Sequence, residues 1–402
     1  MEKQRNYTIE FYRIMFAVNF VAVHVYMVYS MATTRQMVHI YALDNIMPFM
    51  IFAGYFLMYD FKRQQQRSLA QGVTPGTQAG RHLKSRVISL LPAFLVAQIG
   101  GFAATNIFIT KTSFISWPLG LLNHIGELIG LQIIGIGFGN AFVGNWGEGV
   151  RVVQLLNAPL WFISGIFVVG YIIYYLLAKC ENLYICFIGP VFALIFYASQ
   201  HLANSNPFWY NSRFIGDFAY VEGFPHMFVG LTIGCIMWLA VNRLKDKAWS
   251  GGMKAFMTIV AFIFSFILIY KTWVPVNIPV WGSLININWA SVHIISIFCT
   301  FFVLLGADGF NRLLNRKIWA VPGRLAFYIY MFHYPIIVAV GNIMNIRSAD
   351  GLTTLYIVST LVTIVFSYLF MLLNNHVIQP WLKNMPWYSV EQKELELAKT
   401  ES

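Results

Sequence analysis

Apolar positions in this chain neither alternate nor mark out one face of a helix. They fill blocks of roughly 18–25 residues separated by short polar loops, the pattern of helices that cross a bilayer. Ten such blocks can be drawn, near residues 8–31, 43–61, 87–109, 159–178, 183–200, 220–241, 255–273, 282–306, 324–343 and 352–374. The pattern predicts an all-α polytopic membrane protein with ten transmembrane helices. One stretch breaks it. Residues 117–146 are apolar but rich in glycine, from Trp117-Pro-Leu-Gly to Gly135-Ile-Gly-Phe-Gly-Asn140. An eleventh crossing there would invert every later loop, so the segment is read as re-entrant or as lying on the outer face.

Charge supplies the sidedness. Of the 27 Lys and Arg, 20 fall in segments on the side of the N-terminus, six fall in segments on the other side, and Arg13 lies within the first span. The positive-inside rule then places both termini in the cytoplasm. The chain divides into an integral-membrane domain over 1–382 and a short cytoplasmic tail over 383–402, and a multi-pass protein of the cell (plasma) membrane is expected. Only 11% of the residues are charged, about half the share in soluble chains. The net charge of +11 is spread by membrane side rather than gathered on one face, which argues against nucleic acid as a partner and leaves membrane lipids. Cys180, Cys186, Cys235 and Cys299 are not placed for an oxidised pair, and no spacing points to a metal.

The first span carries the groups that most need explaining. Glu10, Arg13 and His24 are costly in lipid. A signal peptide would not hold Glu10 and Arg13 in its apolar core, so the span is read as retained. Arg13 and His24 are eleven residues apart. They therefore leave the same helix face, roughly 16 Å apart along the axis. Glu10 lies one turn before Arg13, within ion-pairing reach.

The sequence Ile9-Glu10-x-x-Arg13, followed by ten residues and then His24, resembles the opening helix of the integral-membrane acyltransferase 3 family, of the polysaccharide O-acetyltransferase type. Softer matches follow in the family's order. Pro48 to Leu57 resembles its aromatic second span, with Ala53 where serine is usual. Arg86-Val-Ile-Ser89-Leu-Leu-Pro92 resembles its Arg-x-x-Arg-x-x-Pro, with Ser89 in place of the second arginine. Leu160-Trp161-Phe162 and Tyr328-Ile-Tyr330-Met-Phe-His333-Tyr334-Pro335 resemble its fourth and penultimate spans. The resemblance implies transfer of an acyl group, most often acetyl, from acetyl-CoA (acyl-CoA) as co-substrate to a hydroxyl of a surface glycan or lipid-linked sugar acceptor.

Such a transfer needs a base for the hydroxyl proton, a donor to the carbonyl oxygen and a clamp on the partners. His24 is the expected catalytic group, as general base or acyl carrier, with Arg13 and Glu10 beside it. At 16 Å and an effective dielectric near 20, Arg13 changes the energy of a charge on His24 by only about 1 kcal/mol. Arg13 either anchors the donor or pairs structurally with Glu10. The basic loop between spans two and three offers Arg86, Lys84 and Arg81 to the phosphates of coenzyme A. Gly54 is expected to bring the second span close to the first. Glu222, His226, His333 and Trp161 are candidates for binding the acceptor, with His293 near them; structural bonds between helices explain the same residues. A proton-coupled transporter or glycan exporter is the alternative use of buried charge in a ten-span bundle.

Overall fold

The computed structural model describes residues 6–33, 46–134, 142–145, 151–153, 156–202, 213–215, 218–220, 223–245, 247, 249–273, 277–280, 283–286, 289–305, 314–346 and 351–385. Among them are ten long helices: α1 (Tyr7–Thr33), α2 (Met47–Ala70), α3 (Pro75–Ala104), α4 (Trp161–Leu183), α5 (Gly189–Leu202), α6 (Gly223–Leu244), α7 (Gly251–Trp273), α8 (Trp289–Leu305), α9 (Ala320–Ile343) and α10 (Leu352–Leu373). Seven helical stretches among the described residues are long and apolar enough to cross a membrane. The second half of α2, Lys62-Arg-Gln-Gln-Gln-Arg67, is too polar for that test, and α8 has only 17 residues.

The stretch from Trp161 to Phe196 passes as one span, yet its contacts show a reversal. The backbone leaves helical geometry at Cys180 (φ −152°, ψ 55°). A Cβ on Gly223, at the start of α6, would meet the ring of Trp161 at 2.6 Å. The ring of Phe196, near the end of α5, lies 4.5 Å from that of His226, also in the first turn of α6. The first residue of α4 and the last turns of α5 thus lie at the same end of α6, and the two helices are antiparallel.

The other neighbours alternate in the same way. α1 and α9 run parallel: Phe11 meets Trp319, Phe20 meets Tyr330 and His24 meets His333. α3 runs against α4, with Phe94 on Phe167 and His82 stacked on Tyr174. α10 runs against α9, with Phe332 between Phe366 and Phe370. The two ends of the bundle differ in charge. Lys62, Arg86, Lys179, Arg243 and Arg324 belong to one, called here the basic end. The other, the far end, holds Asn157, Trp161 and His226.

α2 and α6 run parallel and meet through glycine. A Cβ on Gly54 would lie 2.1 Å from the carbonyl oxygen of Leu231, and one on Gly234 would lie 2.3 Å from that of Ile51. This corrects the expectation for Gly54, whose close neighbour is α6 and not α1. The glycine at 323 serves α1 instead: a Cβ there would meet Glu10 Oε2 at 2.1 Å and Glu10 Cα at 2.8 Å.

The glycine-rich segment does not cross the bundle over its described part. Short helices Trp117–Asn123 and Ile125–Leu128 lie at the far end against α3, where Phe102 packs on Trp117. Ile115, Leu119, Leu122 and Ile129 are exposed, which suits a segment resting in the interfacial layer of a bilayer. The candidate membrane-spanning elements are all helical, as expected. Three antiparallel hairpins, Phe142–Asn145 with Arg151–Val153, Arg213–Ile215 with Phe218–Tyr220, and Asn277–Val280 with Ser283–Asn286, stand between helices. All four cysteines are free, and only Cys186 is exposed.

Candidate active site

His24 sits at 3% exposure, nearly five turns into α1. Its Nδ1 lies 2.9 Å from the carbonyl oxygen of Phe20 and 3.1 Å from Nε2 of His333. His333, fully buried on α9, places its own Nδ1 2.8 Å from the carbonyl oxygen of Tyr330 and 3.2 Å from that of Ile329. Carbonyl oxygens only accept, so with both rings neutral each Nδ1 carries the proton. His333 Nε2 is then a lone pair directed at the Nδ1–H of His24, which it shares with Phe20. One nitrogen remains. His24 Nε2 is buried and has no hydrogen-bond partner among the described residues. A buried nitrogen with a bare lone pair, on a ring whose other nitrogen is held twice, is the arrangement of a positioned base with an orienting group behind it.

Around the pair are Phe20, Phe49, Tyr330 and Tyr334. Phe20 packs on Tyr330 at 5.7 Å and on Phe49 at 5.7 Å, and Tyr334 stands edge-on to His24 at 6.1 Å. The Tyr330 hydroxyl donates to the carbonyl oxygen of Pro159. The rings hold both imidazoles in place and keep the surroundings apolar.

Towards the basic end, α1 carries the ion pair Arg13 Nη1–Glu10 Oε2 at 3.0 Å. Further down, Arg86 Nη2 meets Asp60 Oδ2 at 2.5 Å, and Lys62 Nζ meets Glu181 Oε1 at 2.6 Å. Gln65 joins Lys62 and Glu181. These contacts tie α2 to α3 and α4 where the basic loop leaves the bundle.

The chain matches none of the curated proteins and none of the solved structures with which it was compared. Residues 6–372 match an acyltransferase domain, that of acyltransferase 3. The chain belongs to the acyltransferase 3 family. The match spans most of the chain and includes the histidine pair, and it makes this protein an acyltransferase with membrane helices.

Within the acyltransferase 3 fold the expected residues separate into groups. Glu10, Arg13 and His24 share α1 as read. His333, read as an acceptor contact or a structural bond between helices, touches His24 directly. His226 does not join them. Its ring faces Phe196 at 4.5 Å and His293 at 5.9 Å. Trp161 packs on Gly223 at the far end. Glu222 lies outside the described residues, as does most of the tail beyond 385. Arg81 and Lys84 sit on α3 one turn or so before Arg86. Ser89 donates its hydroxyl to the carbonyl oxygen of Arg86 at 3.0 Å. Asp60 was missed by sequence reasoning, although its place just before Lys62-Arg63 marks the basic end of α2.

Proposed function

We propose that this acyltransferase moves an acetyl group from acetyl-CoA on the cytoplasmic side to a hydroxyl of a glycan or lipid-linked sugar at the plasma membrane, through ten spans with both termini inside. The bare Nε2 of His24, with Nδ1 held by Phe20 and His333, carries this reading. As the acceptor hydroxyl attacks the thioester carbonyl, Nε2 takes its proton; the C–S bond then breaks, and the imidazolium gives that proton to the departing thiolate of coenzyme A. The charge that appears on His24 strengthens the bond from its Nδ1–H to the lone pair of His333, so His333 is a positioning residue. The experiment is acetyl transfer by the purified full chain to a glycan acceptor, with wild type, His333→Gln and His333→Leu in parallel. Glutamine keeps an acceptor for His24 and leucine does not, so glutamine should restore most of the turnover lost with leucine while both variants melt near wild type. Equal turnover in the two variants would remove His333 from the mechanism.

The donor's phosphates suit the basic end. The Arg86–Asp60 pair is about a third exposed, and such pairs contribute roughly 0–1 kcal/mol. A phosphate therefore displaces Asp60 at little cost, and Arg13 stands further in for the rest of the donor. Arg86→Ala should weaken acetyl-CoA binding by about 1.5–3 kcal/mol, the value of a hydrogen bond to a charged group. Asp60→Asn should tighten binding, because it removes the competing carboxylate. Isothermal titration reads both; unchanged affinity in Arg86→Ala sinks the donor site.

Topology has its own test. In a chain with Cys180 and Cys186 replaced, Thr74→Cys should be labelled by a membrane-impermeant thiol reagent only from the cytoplasm, and Ser116→Cys only from outside. Both positions are exposed, and the opposite result reverses the orientation.

A further inference from the structure

We infer that Gln98 and Asn157 form a subsite that accepts hydrogen bonds from the hydroxyls of a neutral sugar, at the far end beside the histidine pair. The inference rests on the acyl-transfer reading and names where its acceptor sits. Both side chains are completely buried. Gln98 Nε2 donates to Gln132 Oε1 at 3.1 Å and to the carbonyl oxygen of Glu127 at 3.4 Å. Gln132 Nε2 donates to the carbonyl oxygen of Asn157 at 3.2 Å. Asn157 Nδ2 donates to the carbonyl oxygens of Ala97 at 3.1 Å and Met331 at 3.2 Å. Each partner of the two NH₂ groups is an acceptor, so neither amide can be flipped without losing both of its bonds.

The amide oxygens are thereby fixed in place. Gln98 Oε1 and Asn157 Oδ1 are buried and have no hydrogen-bond partner among the described residues. A buried acceptor left so is costly, and the two belong to one network, since Asn157 bonds the residue preceding Gln98. Their chemistry selects the ligand. Two acceptors ask for O–H or N–H donors and repel anions. The neighbouring carboxylate, Glu127, is already engaged by His124 Nδ1 at 2.7 Å and by the Leu156 backbone N–H at 2.8 Å. That leaves no unmatched charge to call for a cation. A polyhydroxyl compound fits.

The place fits as well. Asn157 is bonded to Met331, two residues before His333, and Tyr330 reaches Pro159 from the same turn of α9. The Tyr330 ring rests on Phe20, whose carbonyl holds His24. The network is rigid, because a Cβ on Gly101 would lie 2.1 Å from the carbonyl oxygen of Leu156. Gln98 stands twelve residues beyond Arg86 on α3, roughly 18 Å along the helix, level with the histidine pair through Met331, so the acceptor site and the donor's phosphates are held at different heights.

The test uses methyl glucoside, its monodeoxy analogues and its deoxyfluoro analogues as probes, with the purified full chain and acetyl-CoA. In wild type at least one position other than the hydroxyl that is acetylated should lose tenfold or more in kcat/KM on deoxygenation, and fluorine there should not restore it, since fluorine cannot donate. In Gln98→Met that penalty should fall below threefold. No such penalty at any position, as when the oxygens bind water alone, overturns the subsite. So does recovery with fluorine, or a penalty that survives in Gln98→Met. If Gln98→Met does not fold, the wild-type series decides by the same criteria. Equilibrium binding of the same sugars without acetyl-CoA separates the two readings: hydroxyl-dependent binding without transfer keeps the subsite and removes the acyl-transfer reading.

Discussion

His24→Ala should lower acetyl transfer by about 10²–10⁴-fold or more, the usual contribution of a positioned general base, while acetyl-CoA still binds. The two effects separate because the groups are far apart. The phosphates are expected at Arg86, on the basic end, whereas His24 lies deep in α1 with His333. Folding should survive, since a hydrogen bond between buried helices contributes roughly 0.6–2 kcal/mol. His24→Gln is the sharper variant. It keeps a polar group for His333 but offers no imidazole lone pair, so turnover should stay low while the melting temperature returns to that of wild type. Three readings on one preparation settle the matter: thermal stability, acetyl-CoA affinity and transfer rate. Transfer by His24→Ala within threefold of wild type ends the hypothesis, and loss of all three together makes His24 structural.

Gly234→Ala should destabilise the protein by about 1–3 kcal/mol or more, as overpacking does when nothing can rotate away. Its new Cβ would meet the Ile51 carbonyl oxygen at 2.3 Å, the Tyr55 nitrogen at 2.7 Å and Gly54 Cα at 2.8 Å. All three are backbone, so α2 and α6 must separate. At Gly230 the nearest atom is Met50 Cβ at 2.5 Å, which no rotamer change moves, so Gly230→Ala should be destabilising as well. At Gly80 nothing lies within 4 Å; Gly80→Ala should stabilise α3 by roughly 0.5–1 kcal/mol through helix propensity. Melting in detergent orders the three variants. A Gly234→Ala protein as stable as wild type would show that the helices have room to spare. The effect should reach the active site, because α2 carries Phe49, which packs on Phe20 and Tyr330. Activity in Gly234→Ala should therefore fall even in the fraction that remains folded.

What could be read in advance was what a single segment contains. The face shared by Arg13 and His24 follows from helix geometry alone, and the Glu10 pair from its spacing. The surface position of residues 117–129 followed from charge on the later loops. Partners across the bundle were a different matter. Nothing local to His333 says that it meets His24, because the two lie 309 residues apart and meet only when α1 and α9 run side by side. Gly54 shows the same limit: its small size announced a close helix, but not which one. The amide network fails for another reason. Gln98, Gln132 and Asn157 come from α3, a short turn and a loop, and amides are common enough that no spacing sets these three apart. The hairpins were hidden because their strands are three or four residues long and sit where loops were expected.

The parallel pairing of α1 with α9 has a consequence for synthesis. The first helix enters the bilayer with Glu10, Arg13 and His24, yet Gly323 and His333 are made last but one. At roughly 5–20 residues per second, those 309 residues occupy the ribosome for about 15–60 s. During that interval α1 waits in the membrane with its imidazole unmatched and Glu10 without the close cover of Gly323. A chain truncated before residue 320 should therefore leave α1 exposed to membrane quality-control proteases, and full-length chain released from the ribosome should lose that sensitivity.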